Sequence, residues 1–149
     1  MLMMIAGLAA AASFAQPPLQ PWAALVGHCW TGSAPGGGGT DKHCFESVYG
    51  GQHVRDRHSV TEGGREVYAG ETIYSAKGSS VIFTYWNSLG GLGTGEAVAT
   101  NGEMRFTGTI HATATGAEQP MSALWRLVPE GYEVVDEPDA KPRSFKRAD

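Results

Sequence analysis

Apolar and polar residues alternate with a period of two along most of the chain between residues 28 and 137. Such alternation is typical of β-strands with one buried face, because successive side chains on a strand point to opposite sides. Turn signals separate the alternating runs, and the strongest is Asn101-Gly102, which suits the type I′ turn of a two-residue hairpin. The pattern predicts strands at 28–33, 41–49, 53–61, 66–76, 79–87, 94–100, 103–112, 119–129 and 131–137.

A series of hairpin-linked strands must bury its apolar faces and protect its edges. Closure into an up-and-down antiparallel barrel removes the edges, whereas a half-barrel or a sandwich leaves some of them open. We therefore predict an all-β fold, a barrel or half-barrel of about 8–10 strands, with the sandwich as the second choice. Before the first strand, Leu19, Trp22 and Leu25 follow prolines at helical spacing, which predicts one short N-terminal helix or 3₁₀ turn.

The ends of the chain differ in composition from its middle. Residues 1–15 carry no charge, and the small residues Ser13 and Ala15 stand where a signal peptidase would require them. This pattern predicts a signal peptide at 1–15, a single domain at 16–140 and a charged C-terminal tail at 141–149. The expected location is outside the cytoplasm, in the periplasm of a bacterium. The apolar stretch is shorter than the about 20 residues that a membrane-spanning helix needs, so no transmembrane span is expected.

Cys29 and Cys44 are the two cysteines of the chain. An even number of cysteines in an exported protein favours a disulfide. The alternative is a metal site that combines them with His28 and His43, each of which precedes a cysteine directly. We disfavour that site because adjacent side chains on a strand point to opposite faces.

Charge and motifs exclude several function classes. The net charge of -4 leaves no basic surface for phosphates, so nucleic acid is not an expected partner. The glycines between Gly91 and Gly95 do not have the spacing of a dinucleotide-binding loop, and we interpret them as a flexible connection between strands. The sequence also has none of the common hydrolase or zinc-protease motifs, and no cofactor is expected.

The first predicted strand carries a resemblance to a known fold family. The segment LVGHCWTG at 25–32 resembles the Gly-x-x-Trp-x-Gly opening of lipocalin-like, calycin-type barrels. Runs at 44–51, 54–58, 68–74 and 83–91 are similar to bacterial secreted lipocalin-like domains, a group with no agreed ligand. The resemblance implies a β-barrel with Trp30 packed across its floor. Some related barrels bind haem through a histidine, but His111 matches no such motif and is expected to face solvent.

The run HVRDRH at 53–58 contains the densest group of ionisable side chains. Alternation places Asp56 and His58 on the same face as the apolar Val54 and Val60, which marks that face as the inner one. A buried carboxylate requires a partner, and the sequence offers Arg126 or Arg105.

The next two predicted strands add candidates for the inner face. Glu71 shares one face of its strand with Val67 and Ile73, which would place it inside, although the opposite face is also apolar and the parity stays open. On the following strand, Phe83 and Tyr85 are expected to point inwards.

These observations favour a non-enzymatic binding module that holds a small hydrophobic or amphipathic molecule inside the barrel. The predicted ligand-binding residues are Trp30, Asp56, His58, Glu71, Phe83, Tyr85 and Arg126. One alternative is an enzyme that uses Asp56, His58 and Glu71 for acid–base chemistry. Another is a structural barrel filled by its own side chains. The identity of the ligand and the oligomeric state stay open.

Overall fold

The computed structural model describes residues 14–136 and 140–149. The predicted signal peptide, apart from Phe14 and Ala15, lies outside the described residues. A 3₁₀ helix, Pro17–Ala24, precedes the first strand, and a second short one, Pro35–Gly37, follows it. The strands are β1 (Cys29–Ser33), β2 (Thr40–Val48), β3 (His53–Glu62), β4 (Arg65–Lys77), β5 (Ser80–Asn87), β6 (Gly91–Thr100), β7 (Glu103–Ala112), β8 (Glu118–Val128), β9 (Gly131–Asp136) and β10 (Arg143–Arg147).

The strands form one closed antiparallel barrel. Each strand pairs with its neighbours in the sequence, and β1 pairs with β10 to close the sheet. The predicted all-β, up-and-down barrel is confirmed, and its ten strands lie within the expected range. The hairpin prediction at Asn101-Gly102 also holds, because both residues have positive φ, 51° and 80°.

The C-terminal segment corrects one expectation. Residues 141–149 were predicted to be a charged tail, but Arg143–Arg147 forms β10 and pairs with both β9 and β1. Phe145 is the apolar residue of this strand and is 1% exposed, whereas Lys146 beside it faces solvent. One apolar residue among four polar ones produces too weak an alternation to mark a strand.

The two ends of the barrel differ. The first 3₁₀ helix lies at the end that carries the turns after β2, β4, β6 and β8, which we call the helix end. Leu19 and Trp22 of this helix are fully buried, and the Trp22 ring lies 5.0 Å from the ring of Tyr74. The other end, which we call the far end, carries the turns after β1, β3, β5, β7 and β9. Across the described residues, no helix has the length and apolar character that crossing a membrane requires.

Cys29 and Cys44 form a disulfide, as predicted. The two residues lie directly opposite each other on β1 and β2, so the covalent bond reinforces the register of this pair of strands. Closure of a loop between residues separated by 15 positions is worth about 3 kcal/mol in the chain-entropy model. The alternative site that combined both cysteines with a metal is thereby excluded.

Candidate functional site

A cavity of about 470 Å³ occupies the barrel interior between its middle and the far end. Its volume lies within the usual range of about 300–1,000 Å³ for small-molecule sites. Most of its wall is apolar and comes from the inner faces of five strands. The main wall residues are Tyr74, Phe83, Tyr85, Phe106, Met121, Trp125 and Val134.

Glycines on the inner face shape the wall. A Cβ atom at Gly95 would lie 2.7 Å from the Phe83 ring, and one at Gly70 would lie 2.8 Å from the Tyr85 ring. The two aromatic side chains therefore approach the backbone of the neighbouring strand closely, which a larger residue at either glycine would prevent. Gly91, Gly93 and Gly95 belong to β6, so the expected flexible connection is part of the barrel wall instead.

One side of the cavity is polar. Asp41 and His43 lie on β2, and Asp56 and His58 lie on β3, where the pairing places His43 opposite His58. Their side chains point inwards because they alternate with outward-facing residues. The two imidazole rings are stacked with centroids 4.3 Å apart. We call these four residues, together with Arg143 on β10, the polar cluster.

His43 lies between two carboxylates. Its Nδ1 is 2.8 Å from Asp56 Oδ2, and its Nε2 is 3.3 Å from Asp41 Oδ1. His58 Nε2 also lies 2.7 Å from Asp41 Oδ1. The Asp41 and Asp56 side chains are only 1% and 2% exposed, so these interactions form out of contact with bulk water.

Arg143 connects the polar cluster to the strands that close the barrel. Its Nη1 donates to Asp41 Oδ2 at 2.9 Å and to the carbonyl oxygen of Ser33 at 2.9 Å. Its Nη2 donates to Asp136 Oδ2 at 3.1 Å. The guanidinium thus links β10 with β1, β2 and β9, and supplies the positive charge that the buried Asp41 requires.

The pKa values of His43 and Asp41 are shifted by the charged groups around them. Burial alone would lower the pKa of His43, but the carboxylates of Asp56 and Asp41 outweigh that effect and raise the pKa to about 9. Burial would also raise the pKa of Asp41, and the two imidazoles reverse this and hold it below its usual value of 3.8. At neutral pH the cluster therefore contains an imidazolium between two carboxylates.

These shifts predict that the protein loses stability in mildly alkaline solution. Because the pKa of His43 is about 9 in the folded chain and 6.5 in the unfolded one, its contribution is complete below pH 6.5 and disappears as the pH rises through 9. We expect the free energy of unfolding to fall by up to about 3 kcal/mol across that interval. The lowered pKa of Asp41 has the opposite effect on the pH dependence. Its contribution to stability is present above pH 3.8 and is lost as the pH falls below that value.

Urea unfolding of the wild type and of His43→Gln at a series of pH values measures this dependence. The variant is expected to have a lower free energy of unfolding than the wild type at pH 6. Between pH 6.5 and 9 its free energy of unfolding should change much less than that of the wild type. An identical alkaline decline in both proteins would remove His43 as its source.

The cavity brings together four of the predicted ligand-binding residues. Asp56, His58, Phe83 and Tyr85 all line it, on the inner faces to which the alternation assigned them. Trp30 is buried but does not line the cavity. It packs against Tyr132, and its Nε1 donates to the carbonyl oxygen of Leu25 next to the first 3₁₀ helix.

Glu71 and Arg126 lie elsewhere, and their expected inner positions are wrong. Thr72 and Tyr74 of β4 point into the cavity, so Glu71 faces outwards, into a groove that it shares with Arg55 and Trp86. Arg126 is on the outer face of β8, with its Nε 3.0 Å from Glu103 Oε1. The buried partner of Asp56 is His43, whose Nδ1 lies 2.8 Å from Asp56 Oδ2.

Three residues of the polar cluster, Asp41, His43 and Arg143, were not among the ligand-binding residues predicted from the sequence. Asp41 and His43 share the inner face with Phe45, and this alternation in TDKHCF was a usable signal. Arg143 carried no such signal because its strand was not predicted.

Comparisons with known proteins do not extend this description. No protein-family model matches the chain, and no curated protein is significantly similar to it. The function is therefore inferred from the geometry of the cavity.

Proposed function

We propose that this chain is a secreted binding module with a lipocalin-like barrel, which holds a small amphipathic molecule in its central cavity. The supporting observation is the cavity itself, a space of about 470 Å³ with aromatic walls and one polar side. The apolar part of the ligand packs against Phe83, Phe106 and Trp125, and its polar group meets the polar cluster.

The charges of the polar cluster restrict the polar group of the ligand. His43 and Arg143 already contact buried carboxylates, so the cluster has no unpaired cation with which to attract an anion. Asp56 Oδ1 is buried and has no hydrogen-bond partner among the described residues. A group that donates hydrogen bonds, such as a hydroxyl or an amine, would satisfy this oxygen. We therefore favour an uncharged or cationic ligand.

We also propose that residues 1–15 are a signal peptide and that the mature barrel operates in the periplasm. A disulfide persists in oxidising compartments, and the bond between Cys29 and Cys44 is compatible with that location.

The two alternative functions receive less support. The acid–base enzyme required Glu71 beside Asp56 and His58, and Glu71 lies on the outer face of the barrel. A barrel filled by its own side chains would leave no cavity of this size.

A fluorescence titration with the neutral aromatic amine 1-aminoanthracene tests the proposal. We expect the wild type to bind one probe per chain with saturation. Ala123→Phe places a ring in the cavity and should weaken binding by at least about tenfold, the equivalent of 1.4 kcal/mol.

Thr107→Phe is the matched control, because Thr107 lies on the exposed outer face of β7. It should bind as the wild type does. Absence of saturable binding by the wild type would contradict the proposal, and so would equal affinities of the two phenylalanine variants.

A further inference from the structure

Three donor atoms converge on one side of the cavity. They are Asp41 Oδ1, His43 Nε2 and His58 Nε2, and all lie within 4.8 Å of one another. Two imidazole nitrogens and one carboxylate oxygen are a common ligand set for Zn²⁺ and similar divalent transition metals. Mg²⁺ and Ca²⁺ prefer sites made of oxygen alone.

Two of these atoms lack a hydrogen-bond partner in the described part of the chain. Asp41 Oδ1 and His58 Nε2 are buried, and neither has a partner in hydrogen-bond geometry, although they lie 2.7 Å apart. A carboxylate that is 1% exposed rarely keeps an unsatisfied oxygen without a reason. A metal cation between Asp41 and the two imidazoles would satisfy both atoms. Its binding displaces the proton that His43 Nε2 carries at neutral pH, and this proton is released to solvent.

The surrounding groups orient the three donors. His43 Nδ1 lies 2.8 Å from Asp56 Oδ2, which leaves Nε2 to face Asp41. Metal-binding histidines commonly donate their second nitrogen to a carboxylate in this way. Arg143 occupies Asp41 Oδ2, so Oδ1 is the oxygen available to an ion.

We propose that Asp41, His43 and His58 bind one divalent transition-metal ion of the Zn²⁺ type on the wall of the cavity. This inference goes beyond the binding of an amphipathic molecule and does not depend on it, and the preference for an uncharged or cationic ligand applies to the metal-free barrel. Metal bonds of about 2.0–2.2 Å place the donors of a tetrahedral site about 3.3–3.6 Å apart. His43 Nε2 and Asp41 Oδ1 are 3.3 Å apart, whereas His58 Nε2 and Asp41 Oδ1 are 2.7 Å apart and must separate by at least about 0.6 Å. Three protein ligands leave the remaining coordination position open towards the cavity.

Titration of the untagged, chelator-treated protein with Co²⁺ and with Zn²⁺ tests this site. We expect one ion per chain by calorimetry, and visible absorption bands of low-symmetry Co²⁺. His58→Gln should abolish the bands. Asp56→Asn removes a group that orients His43 and should weaken binding by about 10–100-fold.

His28→Gln is the matched control, because His28 lies near Arg147 and Asp149, outside the cavity. It should bind like the wild type. The proposal would be overturned if the wild type took up no stoichiometric metal ion. It would also be overturned if His28→Gln lost the absorption bands and His58→Gln kept them. If a cavity variant fails to fold, the absence of stoichiometric uptake by the wild type still overturns the proposal.

Discussion

Replacing Trp22 with alanine is expected to lower the free energy of unfolding by about 3–5 kcal/mol. Trp22 is fully buried and fills the helix end of the barrel, where its ring packs against Tyr74 and Phe106. Its removal leaves a void beneath the cavity, and the surrounding strands cannot close on it because their register is fixed by the sheet. Urea unfolding at constant pH measures the loss.

Trp86→Ala is the matched control for this effect. Trp86 is 42% exposed on the outer face of β5, so its truncation should cost about 1 kcal/mol or less. Similar losses for the two variants would mean that the first 3₁₀ helix does not seal the barrel.

The second large effect is expected at the C-terminal strand. Phe145 is 1% exposed, and its ring stacks on that of Tyr132 with centroids 4.8 Å apart. Phe145→Ala should cost about 3–5 kcal/mol, because the void forms where β10 joins β9 to β1.

Lys146→Ala provides the comparison within the same strand. Its side chain is 72% exposed and only 3.9 Å from Glu130, a surface pair worth about 0–1 kcal/mol. Equal and small effects at both positions would contradict closure by β10, and would restore the interpretation of residues 141–149 as a solvated tail.

The barrel could be predicted because its main signals are local. Alternation marks most of the longer strands, and turns such as Asn101-Gly102 mark their connections. Once many antiparallel hairpins are present, edge protection favours closure. The last strand escaped this reasoning because RSFKR contains only one apolar residue, and its place depends on partners more than 100 residues away along the chain.

Prediction of the polar cluster would have required the register of strand pairing, which the alternation of apolar and polar residues does not give. The parity of β4 was ambiguous because Val67 and Ile73 on one face are as apolar as Tyr68 and Tyr74 on the other. A register shift between Val60 and Thr61 changes how β3 meets the start of β4, and no local pattern reveals it. Asp56 and His58 were assigned correctly to the inner face, but their contacts with β2 follow from the register of that hairpin.

NMR with methyl-labelled protein tests whether a small amphipathic molecule enters the cavity. Intermolecular NOEs from bound 1-aminoanthracene are predicted to reach the methyl groups of Met121, Ala123 and Val134, which line the cavity. The exposed methyl groups of Val98 and Val128 should show none. NOEs confined to outer-face methyl groups, or no NOEs at saturating probe, would contradict the account.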